Sequence, residues 1–298
     1  MKNDRIGKRL YSILLVVILA IFMSACKNKE KSSGTVSDSP TPASPEVSDN
    51  ISDSGIKIAV IDSGFSSSVI SENNIFPGKN YICPEQDTED RIGHGTALAA
   101  FIVGSEPARM EGCCPEAKLV PLVYADIIVQ DGEEVETIGG PELVAEIVMD
   151  AVNVYDCRII LVSSGTKKDE PALREAVKYA KEHNVLVVSC AGNNGNTEET
   201  VYYPGGYEDV LCVGSVNEDG EIAYFSQNNE YIDIWEIGTD LRLATLKGTR
   251  IRGEGTSYSA AIVAGKAAAV WSENKELEID EVIRILYNDK GVKCTDAP

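Results

Sequence analysis

The chain has two histidines, His94 and His183, so any reaction run through an imidazole base must use one of them. His94 lies between glycines in Asp90-Arg91-Ile92-Gly93-His94-Gly95-Thr96, at the junction with a small-residue helix expected over 97–103. A histidine on a turn without bulky neighbours can face a substrate. His183 follows a helical stretch over 171–181, where the helix dipole favours a cation, and it reads as structural. The candidate nucleophile is Ser257, in Gly253-Glu254-Gly255-Thr256-Ser257-Tyr258-Ser259-Ala260-Ala261. This is a glycine turn that runs into small and apolar residues at helical spacing as far as Val270. A helix start offers unpaired backbone N–H groups and positive potential. A serine there is a plain N-cap unless the chain also supplies a base, a carboxylate to orient the base and an oxyanion donor. Asp62 follows the β-branched run 56–61 and so stands at a strand carboxyl end, where functional residues of open α/β sheets gather. Taken alone it reads equally well as a turn or capping residue. Asn193, in Ser189-Cys190-Ala191-Gly192-Asn193-Asn194-Gly195, carries an amide that can donate to an oxyanion. The Asn194-Gly195 pair beside it is also an ordinary turn signal.

The elements that must position these residues are short apolar strands expected over 56–61, 118–123, 158–162, 185–188 and 210–213. They alternate with helices expected over 141–154 and 171–181 and from Ser257 onward. Strands that are apolar on both faces and alternate with helices predict an α/β fold: a mostly parallel central sheet covered on both sides, a three-layer sandwich. Several strands end in Gly/Ser/Asn turns, among them Asp62-Ser63-Gly64, Ser163-Ser164-Gly165 and Cys190-Ala191-Gly192. A site would collect on that edge.

Composition narrows the function classes. The 298 residues, 43% hydrophobic, are enough for one sizeable core. A formal charge of −20 argues against a nucleic-acid partner, which needs basic surface. Lys2, Arg5, Lys8 and Arg9 precede the apolar run 13–23, which is short for a membrane span and reads as an export signal. Met23-Ser24-Ala25-Cys26 resembles the lipobox of bacterial lipoproteins. That resemblance implies cleavage before Cys26, acylation of Cys26, and a lipid anchor on the extracytoplasmic face of the membrane. Residues 26–54 are rich in Ser, Pro and Asp and read as a flexible tether. The expected organisation is a signal peptide over 1–25, the lipidated tether over 26–54 and a folded domain over 55–298. Seven cysteines remain beyond Cys26, an odd number that excludes complete internal pairing. Cys157, Cys190 and Cys212 have apolar neighbours and read as buried small residues. No CxxC or His-Cys cluster offers a zinc site, and no contiguous acidic loop offers a calcium site.

Asp62-Ser63-Gly64, His94-Gly95-Thr96, Ala191-Gly192-Asn193-Asn194-Gly195 and Gly255-Thr256-Ser257, in this order, resemble the motifs of subtilisin-like serine proteases over about residues 55–290. The resemblance implies peptide or protein substrates, no required cofactor, and a calcium requirement in some members. It makes Ser257 the nucleophile, His94 the base, Asp62 the group that orients the base, and Asn193 the oxyanion donor. Ser163, Ser164, Gly165, Cys190, Ala191 and Gly192 would wall the pocket for the residue before the scissile bond. Tyr202 would stand near the pocket floor where many relatives have glycine, and so favour small residues there. The chain departs from the family pattern at Ala97 and, after the nucleophile, at Tyr258, Ser259 and Ala261. These departures are expected to leave the chemistry untouched. A catalytically inactive peptide-binding module is the alternative reading. An esterase of the Gly-x-Ser-x-Gly kind is disfavoured, because that elbow is absent around Ser257.

Overall fold

The computed structural model describes residues 55–288 except 131 and 196–199. The signal, Cys26, the tether and Cys294 lie outside the described residues. Chain order runs β1 (Lys57–Asp62), β2 (Lys79–Asn80), α1 (His94–Val103), β3 (Gly104–Ser105), β4 (Met110–Glu111), β5 (Lys118–Val123), β6 (Ala125–Gln130) and β7 (Glu133–Ile138). It continues through α2 (Pro141–Asn153), β8 (Ile159–Val162), α3 (Pro171–Glu182), β9 (Leu186–Cys190), β10 (Val210–Val216), β11 (Ile234–Ile237), β12 (Leu241–Ala244), β13 (Arg250–Gly253), α4 (Thr256–Glu273) and α5 (Ile279–Asn288).

Seven strands form one sheet in the order β11-β10-β9-β8-β1-β5-β2. All of its strand pairings are parallel. Side chains alternate across a strand, so each apolar strand feeds two cores. Ile58, Val60, Leu119, Ile159, Leu161, Val188 and Val213 pack with α1, α4 and α5. Ala59, Ile61, Val120, Leu122, Ile160, Val162 and Val187 pack with α2 and α3 on the other face. This is the expected three-layer arrangement.

The helices differ as their faces do. In α2 and α3 one stripe is buried (Val144, Ala145, Ile147, Val148 and Ala151; Leu173, Ala176, Val177 and Ala180), and each begins with proline, whose missing N–H costs nothing there. Helix α4 is buried nearly all round from Thr256 to Ala268, which is why its residues are small. A methyl built on Gly265 would lie 3.3 Å from the Ile102 Cα, so this glycine lets α4 approach α1 closely. At the far end Trp271 is fully buried and its indole N–H donates to the Leu277 carbonyl at 2.8 Å. Burying a side chain of this class contributes about 2–3 kcal/mol.

Several boundaries differ from the sequence reading. Asp62 belongs to β1 because it pairs in register with Val123. His94 is the first residue of α1 rather than part of the preceding loop. Strand β10 runs on to Val216 because β11, not visible in the sequence pattern, pairs with its last four residues. The antiparallel hairpins β6–β7 and β12–β13 were likewise not expected. Among the described cysteines Cys114, Cys157, Cys190 and Cys212 are buried free thiols, and Cys83 is a half-buried one. His183 caps α3, with Nδ1 bonded to the Tyr179 carbonyl at 2.8 Å and its ring stacked 3.8 Å from that of Tyr179. Its structural reading stands.

Candidate active site

Asp62 ends β1 at the sheet's carboxyl edge and is 4% exposed. Its carboxylate accepts from the Ser63 N–H at 2.9 Å and the Ser63 hydroxyl at 3.2 Å. Both carboxylate oxygens lie 2.9 Å from His94 Nδ1. This contact fixes the tautomer: Nδ1 carries a proton toward Asp62, and Nε2, across the ring, is the basic atom. Burial opposes protonation of His94, but the charge and hydrogen bond of Asp62, with Asp90 behind it, hold its pKa above the ordinary histidine value.

The turn that delivers His94 is organised by Asp90, which is 4% exposed. One of its oxygens accepts from the Ile92 and Gly93 N–H groups at 2.9 and 2.7 Å. The other accepts from the Thr96 N–H and hydroxyl at 2.9 and 2.6 Å. Hydrogen bonds to a charged group contribute about 1.5–3 kcal/mol each. Burial nevertheless outweighs these bonds and raises the Asp90 pKa. The Ser63 hydroxyl accepts from the Gly95 N–H at 3.0 Å, which ties the turn to the end of β1. Only glycine fits at 95, because a methyl there would collide with the Gly64 carbonyl. The motif Asp62-Ser63-Gly64…His94-Gly95 is therefore one interlocked unit.

Ser257 is the second residue of α4 and is 7% exposed. Its hydroxyl donates to the Ser163 carbonyl at 3.4 Å, and the Cys190 thiol lies within reach of it and of Thr256. A hydrogen bond between Ser257 and His94 is not formed in this state; such bonds are often long in free enzymes and tighten with substrate. Asn193 Oδ1 accepts from the Thr256 N–H at 2.9 Å and the Thr256 hydroxyl at 2.8 Å. A backbone N–H can only donate, so the amide orientation is fixed and Nδ2 is left on the Gly255 side, 3.6 Å from where a Gly255 methyl would be. The result is a donor held at the start of α4.

Residues Ser163, Ser164 and Gly165 leave the end of β8, and Cys190, Ala191 and Gly192 close β9 beside it. The Tyr202 ring lies between the two segments. A methyl on Gly165 would be 3.2 Å from Tyr202 Cβ, and one on Gly192 would be 2.9 Å from Tyr202 Cδ2. The ring is held by Asn194, whose amide donates to the phenol oxygen, and by the Lys167 ammonium 5.7 Å from its centre. Reciprocal backbone bonds between Thr166 and Tyr203, 2.9 and 2.8 Å, pin this segment to the wall. All the site residues named from sequence within the described chain thus gather on one edge of the sheet.

Sequence reasoning missed three neighbours. Asp90 shows in the sequence only as the first residue of the His94 turn. Tyr124, buried, donates its backbone N–H to the Asp62 carbonyl at 3.0 Å, and its hydroxyl bonds Ser164; burial and the nearby Asp62 charge push its pKa up and keep the phenol protonated. Tyr258 corrects an expectation outright. Its ring stands 5.6 Å from that of His94, so the residue after Ser257 does touch the candidate chemistry. The other changed hydroxyl, Ser259, is spent on packing, bonded to Ser215 Oγ at 2.8 Å and to the Ile237 carbonyl at 2.9 Å. Among the described residues no group of three or more His, Cys, Asp or Glu is placed to hold a metal ion.

Comparison with known proteins gives the family and the fold. Residues 53–294 match the model of the Subtilase family. The chain is 34% identical over 231 residues to the major intracellular serine protease of Bacillus subtilis (strain 168), covering 74% of this chain and 70% of that protein. It is 30% identical over 222 residues to subtilisin BL of Lederbergia lenta, covering 74% and 78%. A solved structure described as a lanthipeptide protease superposes with a TM-score of 0.66 at 25% identity, over 79% of this chain and 81% of that one. The fold is the subtilisin-like α/β fold, and the chain belongs to the subtilase family of serine peptidases.

Proposed function

We propose that this serine peptidase is an endopeptidase that cuts peptide bonds through Ser257, His94 and Asp62, with Asn193 as oxyanion donor. The observation that carries the reading is the Asp62–His94 contact at 2.9 Å, set on the same sheet edge as a serine at a helix start. Ser257 Oγ attacks the carbonyl carbon of the scissile bond while His94 Nε2 takes its proton. Asp62 stabilises the imidazolium. The oxyanion accepts from Asn193 Nδ2 and the Ser257 N–H. One such donor is worth about 3–4 kcal/mol of barrier. Collapse of the intermediate breaks the C–N bond as His94 returns the proton to the leaving amine, leaving an acyl-enzyme. Water, deprotonated by His94, then releases the acid and restores Ser257. Tyr202, filling the space between the two wall segments, selects small residues before the cut.

The chain is further proposed to act at the extracytoplasmic face of a bacterial membrane, held by lipidated Cys26, on exported peptides or neighbouring surface proteins. Support for this comes from the sequence of residues 2–26 and from the polar tether that follows. The Bacillus subtilis relative, by contrast, is named as an intracellular protease. A fluorophosphonate probe tests the chemistry. Covalent labelling of Ser257 that is absent in Ser257→Ala supports a peptidase. A second reading, a peptide-binding module without turnover, draws on the Ser257 hydroxyl being bonded to Ser163 rather than His94. It predicts a folded protein that binds peptides and takes no label.

A further inference from the structure

The hydrogen bond to Asp62 fixes one axis of the His94 imidazole but not the rotation of the ring about that axis. The outer torsion of a histidine is soft and broad, so a second contact must aim Nε2. The side chain in position to do so is Tyr258. It is 9% exposed, and its ring is tilted 51° against the imidazole at 5.6 Å. On another side it is braced by Phe101 of α1, 5.9 Å away at 50°. A methyl on Gly255 would touch its Cδ2 and Cε2 at 3.5 Å, so the turn before Ser257 confines it as well. Among the described residues its hydroxyl has no hydrogen-bond partner, so the ring and not the phenol makes the contacts.

The placement has a mechanical consequence. Ser257 and Tyr258 are consecutive on the first turn of α4, while His94 begins α1. The nucleophile and the wall that the base leans on therefore move together. When His94 takes the Ser257 proton it becomes a cation beside an aromatic ring, an attraction that the neutral ground state lacks. We propose that Tyr258 is a positioning residue, whose ring holds the His94 imidazole in its reactive orientation relative to Ser257. This rests on the triad reading given above.

The test compares Tyr258→Phe, Tyr258→Leu and Tyr258→Ala in the full-length protein, with melting temperature and near-ultraviolet circular dichroism as checks of folding. Tyr258→Phe keeps the ring and is expected to stay within about threefold of wild type in kcat. Ring loss in the Leu and Ala variants is expected to lower kcat about 30–100-fold with KM changed less than about threefold, the scale of a sub-ångström misplacement of a reacting group. Proton NMR supplies a readout that mere structural support would not move. The Asp62-bonded His94 Nδ1–H is expected as a protected low-field signal in wild type and Tyr258→Phe, and as a broadened or lost signal in folded Tyr258→Ala. Folded Leu and Ala variants with unchanged kcat and an unchanged low-field signal would overturn the proposal. So would a Phe variant as impaired as Ala, since the hydroxyl would then be the working part. If wild type neither cleaves peptides nor takes the fluorophosphonate, the triad reading fails, and the NMR comparison still decides whether Tyr258 holds His94.

Discussion

Replacing Tyr202 by alanine removes the ring that fills the space between Gly165 and Gly192. In the wild type the ring's Cδ1 lies 3.5 Å from the Gly165 methyl position and its Cδ2 2.9 Å from the Gly192 one, so the ring occupies the space a large side chain would need. Burial of a phenylalanine-sized side chain is worth about 1.5–3 kcal/mol. At about 1.4 kcal/mol per factor of ten, opening the pocket should raise the preference for Phe over Ala before the scissile bond by roughly 10–150-fold. The assay is kcat/KM on peptide p-nitroanilides that differ only at that residue. Wild type should prefer Ala, and Tyr202→Ala should reverse or level the order. The variant also loses the Asn194 bond and leaves a partly open cavity, so a stability loss of about 1–3 kcal/mol is expected. Wild type that cuts after Phe as readily as after Ala, with a ratio unmoved in the variant, would falsify the pocket argument.

Four further outcomes follow, three from the geometry and one from the sequence of the first 26 residues. Asn193→Asp keeps the acceptor for Thr256 but loses the donor, and should cut kcat about 10²–10³-fold with little change in KM, read from steady-state kinetics. Because Asp62 and Asp90 raise the His94 pKa, and the base works only when neutral, kcat/KM should climb with pH through a midpoint above about 6.5; Asp62→Asn should lower that midpoint as well as the plateau. The same raised pKa stabilises the fold below the unfolded histidine value of about 6.5 and is lost as pH rises through the folded one, so the melting-temperature gap between wild type and His94→Ala should narrow across that window. Cys26→Ala should abolish fatty-acid labelling and shift the protein from the membrane to the soluble fraction; labelling that persists would place the anchor elsewhere.

The legible parts of this molecule are those where chemistry and local pattern coincide. Asp62 could be found because an apolar, β-branched run stops at it. Ser257 could be found because glycines give way to small residues at helical spacing. Asn193 is ambiguous beside a turn signal in the sequence; in the structure its carbonyl oxygen bonds Thr256, which leaves the amide nitrogen on the Gly255 side. Asp90 is hard to read from sequence because its role lies in bonds to N–H groups of residues 92, 93 and 96 that converge only when the turn is folded. Tyr258 was set aside as a neutral departure because its contact with His94 crosses from α4 to α1, a tertiary fact that no periodicity carries. Strand β11 escaped because its Ile-Trp-Glu-Ile run is short and half-buried, and it becomes a strand only by pairing with β10. The β6–β7 hairpin did carry a signal, the Asp131-Gly132 pair.

Hydrolysis of a mixed peptide library by the full-length protein, beside Ser257→Ala, tests the central claim most directly. Cleavage by wild type, concentrated after small residues and absent in the variant, is the predicted result. Equal cleavage by a folded Ser257→Ala protein, or none by a folded wild type, would contradict it.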